Sequence, residues 1–318
     1  MSSMIAKTKS APGVQGVLRQ KWQTLWRDIK QNKVCYLFLA PYAALFITFT
    51  VLPVLMAIGL SFTYFNMLQP PQWVGVHNYL RLFLEDDIFL IAVKNTFIYA
   101  AITGPVSYFM CFILAWMINE FKPKVRAILT LLFYAPSISG NVYLVWQVIF
   151  SGDTYGYVNA FLLYWGIIKS PIQWLIDPTW IMPIVIIVVL WMSLGTSFLV
   201  FIAGLQGIDE SLYEAGAIDG VRNRWQELWY LTLPAMRGYL MFGAIMAITS
   251  SFTIASEITH LVGFPSTDYA AHTIVQHLQD YGTIRFEMGY ASAIAVILFF
   301  IMVISQRVVQ KLLNRVGE

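Results

Sequence analysis

Six runs of the 318-residue chain are long and apolar enough to cross the roughly 30 Å hydrocarbon core of a bilayer, a distance that needs about 20 residues of helix. They fall at residues 36–62, 89–118, 127–150, 180–205, 239–262 and 289–306. Four contain no Asp, Glu, Lys or Arg; the exceptions are Lys94 near one end of the second and Glu257 in the fifth. Hydrocarbon has no water to satisfy a stray N–H or C=O, so runs of this length must be helices. The expected fold class is an all-α polytopic membrane protein with six transmembrane helices.

Cytoplasmic segments retain Lys and Arg. With the N-terminus inside, residues 1–35, 119–126, 206–238 and 307–318 carry 7, 3, 3 and 3 basic residues, while loops 63–88, 151–179 and 263–288 carry only Arg81, Lys169 and Arg285. The bias places both termini in the cytoplasm. The net charge of +3 is then an orientation signal and no sign of a nucleic-acid partner. The domain plan is a cytoplasmic arm over 1–34 and a membrane domain over 35–318, with a cytoplasmic loop at 206–238. The arm is too long and polar for a cleaved signal peptide. Within it Leu18, Trp22 and Trp26 recur at helical spacing beside Arg19, Lys21, Arg27 and Lys30. That pattern suits a helix lying among inner-leaflet lipids or a disordered basic tail.

Other residue types point to no chemistry. Cys35 and Cys111 show no CxxC spacing and read as small packing residues. His272 and His277, five apart, do not share a helical face and carry no metal-site expectation. Trp73, Trp165, Trp174 and Trp180 fit an interfacial aromatic belt, a minority being available to stack on a sugar.

Charge concentrates in "EAGAIDGVRNRWQELWYLTLP", Glu214 to Pro234. Ser211 with Glu214 three residues on fits a capping box, Gly220 a left-handed helix stop, and Pro234 an end or bend. Val221, Trp225, Leu228 and Trp229 line one apolar face between them. The pattern describes a capped helix followed by an amphipathic elbow, a rigid docking element on the inner membrane surface.

The spacing of Glu214, Ala215, Gly216, Gly220, Leu233 and Pro234 resembles the Glu-Ala-Ala loop of permease subunits in binding-protein-dependent ABC importers. "WVGVHNYLRLF", "LFYAPSISGNVYLVWQVIF" and "LYEAGAIDG" resemble the carbohydrate branch, the maltose-type upstream permeases, from about residue 35 to the C-terminus. Gly216 stands where the motif has a second Ala, a change expected to be sterically harmless, and the gap from Gly220 to Pro234 is one residue longer. The resemblance implies a type I importer fold and a non-catalytic subunit of a bacterial or archaeal cytoplasmic membrane. It implies that Glu214, Ala215, Gly216, Asp219 and Gly220 contact an ATPase. The implied partners are a second permease, two ATPase subunits that hold ATP and Mg, and an extracytoplasmic binding protein. This chain has no GxxxxGK[ST] phosphate loop, so no cofactor is expected on it.

Polar residues inside spans are costly and default to function. Ser250, Thr253 and Glu257 stand at i, i+3 and i+7 with Thr249 beside them, a stripe expected to face a pathway. By resemblance the sugar-contacting positions fall on Val189, Met192, Ser193, Thr196, Met246, Thr249, Ser250 and Thr253, and Trp191 coincides with a family Trp. Asn141 and Gln147 could add hydrogen bonds, to substrate or between helices. A neutral, hydroxyl-rich ligand suits Ser and Thr with no mid-span Arg or Lys, and the expected cargo is a carbohydrate, an oligosaccharide within that class. The rival readings are a permease for glycerol phosphate, polyamine or peptide, a polytopic membrane enzyme, whose mid-span acids would be limited to Glu257, and a cation-coupled carrier, which would call for internal repeats or broken helices.

Overall fold

The computed structural model of the chain describes Arg27, residues 30–140 and residues 142–315. Asn141 and the Leu18, Trp22 and Trp26 pattern lie outside the described residues. The chain divides into Met1–Met56 and Ala57–Glu318. In the first unit runs most of α1 (Lys33–Leu60), apolar and with none of its residues buried. A π turn at Ile47–Val51 precedes Pro53, whose missing N–H breaks the regular ladder there.

In the second unit, strands β1 (Thr63–Tyr64) and β2 (Gln72–Trp73) pair antiparallel, Thr63 opposite Trp73. The helices follow as α2 (His77–Leu84), α3 (Asp87–Asn119), α4 (Pro123–Ile138), α5 (Val142–Ile149) and α6 (Tyr157–Tyr164). Then come α7 (Pro178–Met192), α8 (Thr196–Gln206), α9 (Glu210–Ile218), α10 (Arg224–Ala235) and α11 (Arg237–Phe252). The chain ends in α12 (Ser256–Val262), α13 (Ile274–Gln279) and α14 (Met288–Arg315). Among the described residues, four helical stretches are long and apolar enough to cross a membrane, or six if two bent pairs each count as one span. The chain is a multi-pass α-helical membrane protein. Three of the expected runs are interrupted: at Ser139–Gly140 between α4 and α5, at Ser193–Gly195 between α7 and α8, and at Thr253–Ala255 between α11 and α12. The polar stripe expected over Thr249 to Glu257 is therefore not one helical face.

Helices α3, α8 and α11 form the centre. Where α8 and α11 cross, a Cβ on Gly204 would stand 2.7 Å from the Tyr239 ring, and one on Gly243 would run into Phe201. Small residues on both partners let the backbones approach, which is how helices associate where lipid removes the hydrophobic drive. Cys111 is buried in this layer and its thiol donates to the Ser193 carbonyl at 3.4 Å, a packing role.

Segment 263–288 is pinned onto the bundle by buried polar groups. Asn95 donates to the carbonyls of Tyr269, Ala270 and His272, and Thr96 accepts from the Ile274 amide at 2.9 Å. Thr273 and Gln276 form a capping box on α13, and the Thr273 hydroxyl donates to Ile254 at 2.8 Å. Contrary to the sequence spacing, the two histidines meet, because His272 precedes α13 in a non-helical turn: His272 Nε2 lies 3.2 Å from His277 Nδ1. His277 Nε2 lies 3.1 Å from Asp86, which also accepts from Tyr290 at 2.8 Å and the Phe89 amide at 2.9 Å. With His277 Nε2–H donating to the carboxylate, its Nδ1 accepts from His272, and His272 Nδ1 is left buried without a partner. Around this cluster stand the Arg81–Glu287 and Arg285–Asp280 pairs, each at 2.7 Å. Trp174, assigned above to the interfacial belt, is instead buried and donates to Asn159 at 2.9 Å.

Burial, reinforced by His277, pushes His272 down to about 4. Burial alone would raise Asp86, but its bonds from His277, Phe89 and Tyr290 prevail and hold it well below the usual carboxylate range. Below the ordinary histidine value the unfolded chain takes up a proton that folded His272 refuses. Stability is thus fully present above about pH 6.5 and falls as pH drops toward about 4, Asp86 extending the loss below the ordinary carboxylate value. The melting midpoint in detergent is expected to fall between about pH 7.5 and about pH 4.5, and His272→Gln to flatten that slope, as differential scanning fluorimetry would register.

Candidate functional site

Two places gather the polar residues singled out in the sequence. The first is the segment after α8. Helix α9 is capped by Asp209, whose side chain accepts from the Ser211 amide at 3.0 Å, a bond that draws its carboxyl below the usual range. The Ser211–Glu214 capping box does not form: the helix starts one residue before Ser211, which puts the cap at Asp209. Glu214 is exposed and takes no hydrogen bond or ion pair among the described residues. The helix ends as expected at Gly220, φ +97°, where the Val221 amide returns to Gly216 at 2.9 Å.

Gly216 is buried, and a Cβ there would stand 2.6 Å from Leu231 Cδ1. Packed on Leu231, it offers no surface to a partner, and α9 lies on α10 there. The contact is locked by the Tyr213–Thr232 hydroxyl pair at 3.0 Å. Asn223 caps α10 by accepting from Gln226 at 2.9 Å. Of the stripe expected on this elbow only Leu228 is buried; Trp229 is exposed, and Trp225, also largely exposed, sets its ring against Trp116 of α3 at 5.4 Å. Arg224 ties the elbow to the end of α3, 2.7 Å from Glu120 and 2.7 Å from Glu227. The chain bends 81° between α10 and α11, at Met236, two residues past Pro234. The face left open carries Glu214, Ala215, Asp219 and Gly220, and at its tip Ile218, 87% exposed. Sequence reading passed over Ile218; an aliphatic residue next to a helix stop in a polar loop was the available signal.

The second place is a cavity of about 280 Å³ among α3, α4, α5, α7, α8, α11 and α12. It opens at two of the helix breaks, where Ser193, Gly195 and Ile254 line it. Non-helical backbone at membrane depth is tolerated where it lines a cavity. Val189, Met192, Ser193, Thr196, Met246, Ser250 and Glu257 reach it; Thr249 and Thr253 do not. Thr249 accepts from Gln306 of α14 at 3.2 Å, and the Thr253 hydroxyl folds back on the Thr249 carbonyl at 2.9 Å. Trp191 packs edge-on against Trp146, 5.3 Å away, and does not line the cavity. Gln147 is spent between helices, donating to the His260 carbonyl at 2.7 Å. Thr103, Ser107, Ser137 and Tyr143 also line it and were missed; the i, i+4 pair Thr103 and Ser107 in an apolar run was the legible clue.

Residues 109–317 match the family described as binding-protein-dependent transport system inner membrane component, and the chain belongs to it. Among relatives, "Probable ABC transporter permease protein YesP" of Bacillus subtilis is 33% identical over 279 residues, 86% of this chain and 88% of that protein. The lactose transport system permease protein LacF of Rhizobium radiobacter is 32% identical, covering 85% and 91%. Among solved structures, a bacterial ABC transporter involved in import of the acidic polysaccharide alginate has a chain that superposes with a TM-score of 0.74 at 25% identity, over 93% of this chain and all of that one. The fold is that of a type I ABC importer permease, and the chain is a non-catalytic permease subunit whose ATPase is a separate chain.

Replacing Gly216 tests the α9–α10 contact. Gly216→Leu is expected to cost about 1–3 kcal/mol through overpacking against Leu231, read as a lowered melting midpoint. Gly216→Ala should cost less, and Leu231→Ala should recover most of that loss.

Proposed function

We propose that the chain is one of two permease subunits of an ATP-driven importer for a carbohydrate, best matched by a neutral oligosaccharide. The observation that carries this reading is the hydroxyl-lined cavity at two helix breaks, which brings Ser193, Thr196 and Ser250 together with Glu257. Relatives named for lactose and arabinooligosaccharide transport, and a solved neighbour that imports alginate, support the substrate class.

The termini and residues 206–238 face the cytoplasm in this reading, supported by the Lys and Arg bias. There Glu214, Ala215, Asp219 and Gly220 meet an ATPase subunit, with Ile218 as an apolar anchor and Glu214 free to pair with a basic residue. Two such ATPase subunits hold ATP and Mg. A second permease completes the pathway, and an extracytoplasmic binding protein delivers substrate at the opposite end. The alginate importer was solved with an oligosaccharide-bound periplasmic protein, which supports that last partner. ATP-driven closure would rock α9 and α10, and through Arg224 and Trp225 the end of α3.

The test is ATP hydrolysis by the reconstituted complex with its binding protein across a panel of neutral oligosaccharides. One or more should stimulate hydrolysis. Glu214→Lys and, separately, Ile218→Asp should abolish most of that stimulation, at least about tenfold, while the permease pair still assembles. Normal stimulation in both variants would remove the docking assignment, and stimulation by peptides alone would remove the carbohydrate.

A further inference from the structure

The direction of the hydroxyls around the cavity carries more than their number. Thr103, Ser107, Ser137, Ser193, Ser250 and Ser251 each donate to a carbonyl three or four residues back on their own helix, at 2.6–3.1 Å. A hydroxyl whose proton is spent in this way still has oxygen lone pairs to offer. That part of the wall therefore presents acceptors. Glu257 adds a carboxylate. Its Oε2 accepts from the Ala255 amide at 3.3 Å and the Ser256 hydroxyl at 3.0 Å, while Oε1 takes no hydrogen bond among the described residues. Glu257 has no ion pair among them either, and it is the one Asp, Glu, Lys, Arg or His lining the cavity.

We propose that this cavity is a charge filter, with Glu257 as a specificity-determining residue, that takes neutral or cationic saccharides and rejects acidic ones. A neutral sugar supplies O–H donors to these oxygens and to Glu257, and its own oxygens accept from the other wall hydroxyls, Tyr108, Tyr143, Thr196 and Ser197. A uronate, sulfonate or phosphate group brings only acceptors and a negative charge toward an uncompensated carboxylate. In a site walled by low-dielectric helices such a charge is felt strongly, since field lines are focused into the cleft. The inference rests on the carbohydrate reading, and it sets this chain apart from the solved neighbour, whose cargo is an acidic polysaccharide.

The experiment measures the charge of the cavity itself. Thr196, exposed on its wall, is replaced by Cys in the assembled complex with Cys35→Ser present. Leu68→Cys, at a position 90% exposed in loop 63–88, serves as the reference. Each thiol is modified with a trimethylammonium-ethyl or a sulfonatoethyl methanethiosulfonate, and the rates are followed by the mass of the labelled peptide. The cation-to-anion rate ratio at Thr196→Cys should exceed that at Leu68→Cys by about tenfold. Glu257→Gln should bring the two ratios within about twofold, and Glu257→Asp should keep them apart. Equal ratios at the two positions, a ratio indifferent to Glu257→Gln, or a Thr196→Cys that neither reagent reaches would each overturn the filter. None of these outcomes depends on which saccharide stimulates hydrolysis, so the filter and the carbohydrate reading fail separately.

Discussion

Everything in this protein follows from the need to satisfy backbone N–H and C=O groups where water is scarce. Long helices meet it by themselves. Where the chain leaves the helix, at Ser193–Gly195 and Thr253–Ala255, the loose groups cluster around one polar cavity. The same requirement turns the wall hydroxyls inward onto their own carbonyls, so the rule that shapes the fold also sets the hydrogen-bonding character of the site. Polar residues that pin loops, such as Asn95 and Thr96, answer to it as well: each satisfies backbone groups of segment 263–288.

The membrane class was legible because hydropathy over 20 residues reports directly on a physical threshold. So was the stop at Gly220, because a positive φ is cheap only for glycine. The breaks were not legible. Helix interruption at Thr253–Ala255 needs no Pro or Gly there; it is held by tertiary bonds such as Thr273 to Ile254, invisible in a one-dimensional pattern. A stripe drawn through Thr249, Ser250, Thr253 and Glu257 found two cavity residues and two that do not reach it, Thr249 bonded to Gln306 and Thr253 exposed and turned onto its own backbone. The contact of His272 with His277 was not legible for a related reason, since His272 lies outside α13 and its position is set by the turn before that helix.

The capping box at Ser211 and Glu214 failed in a more local way. Asp209 is the better acceptor and stands two residues earlier, so it takes the cap and leaves Glu214 unengaged. Helix α9 thus keeps Glu214 exposed, with Ile218 one turn on and 87% exposed. Gly216 shows the converse, since it is buried against Leu231 where α9 meets α10 and is spent inside the chain.

Helix α3 has a further consequence. Its 33 residues span on the order of 50 Å, with Glu120 and Trp116 gripped by the elbow at one end and Asp86 gripped by His277 and Tyr290 at the other. It is a connecting rod between the two faces of the protein, and it passes the cavity on its way through Thr103 and Ser107. Pro105, lodged between those two residues, removes one rung of the ladder there. The rung missing from the rod therefore lies at the level of the cavity, between its two gripped ends.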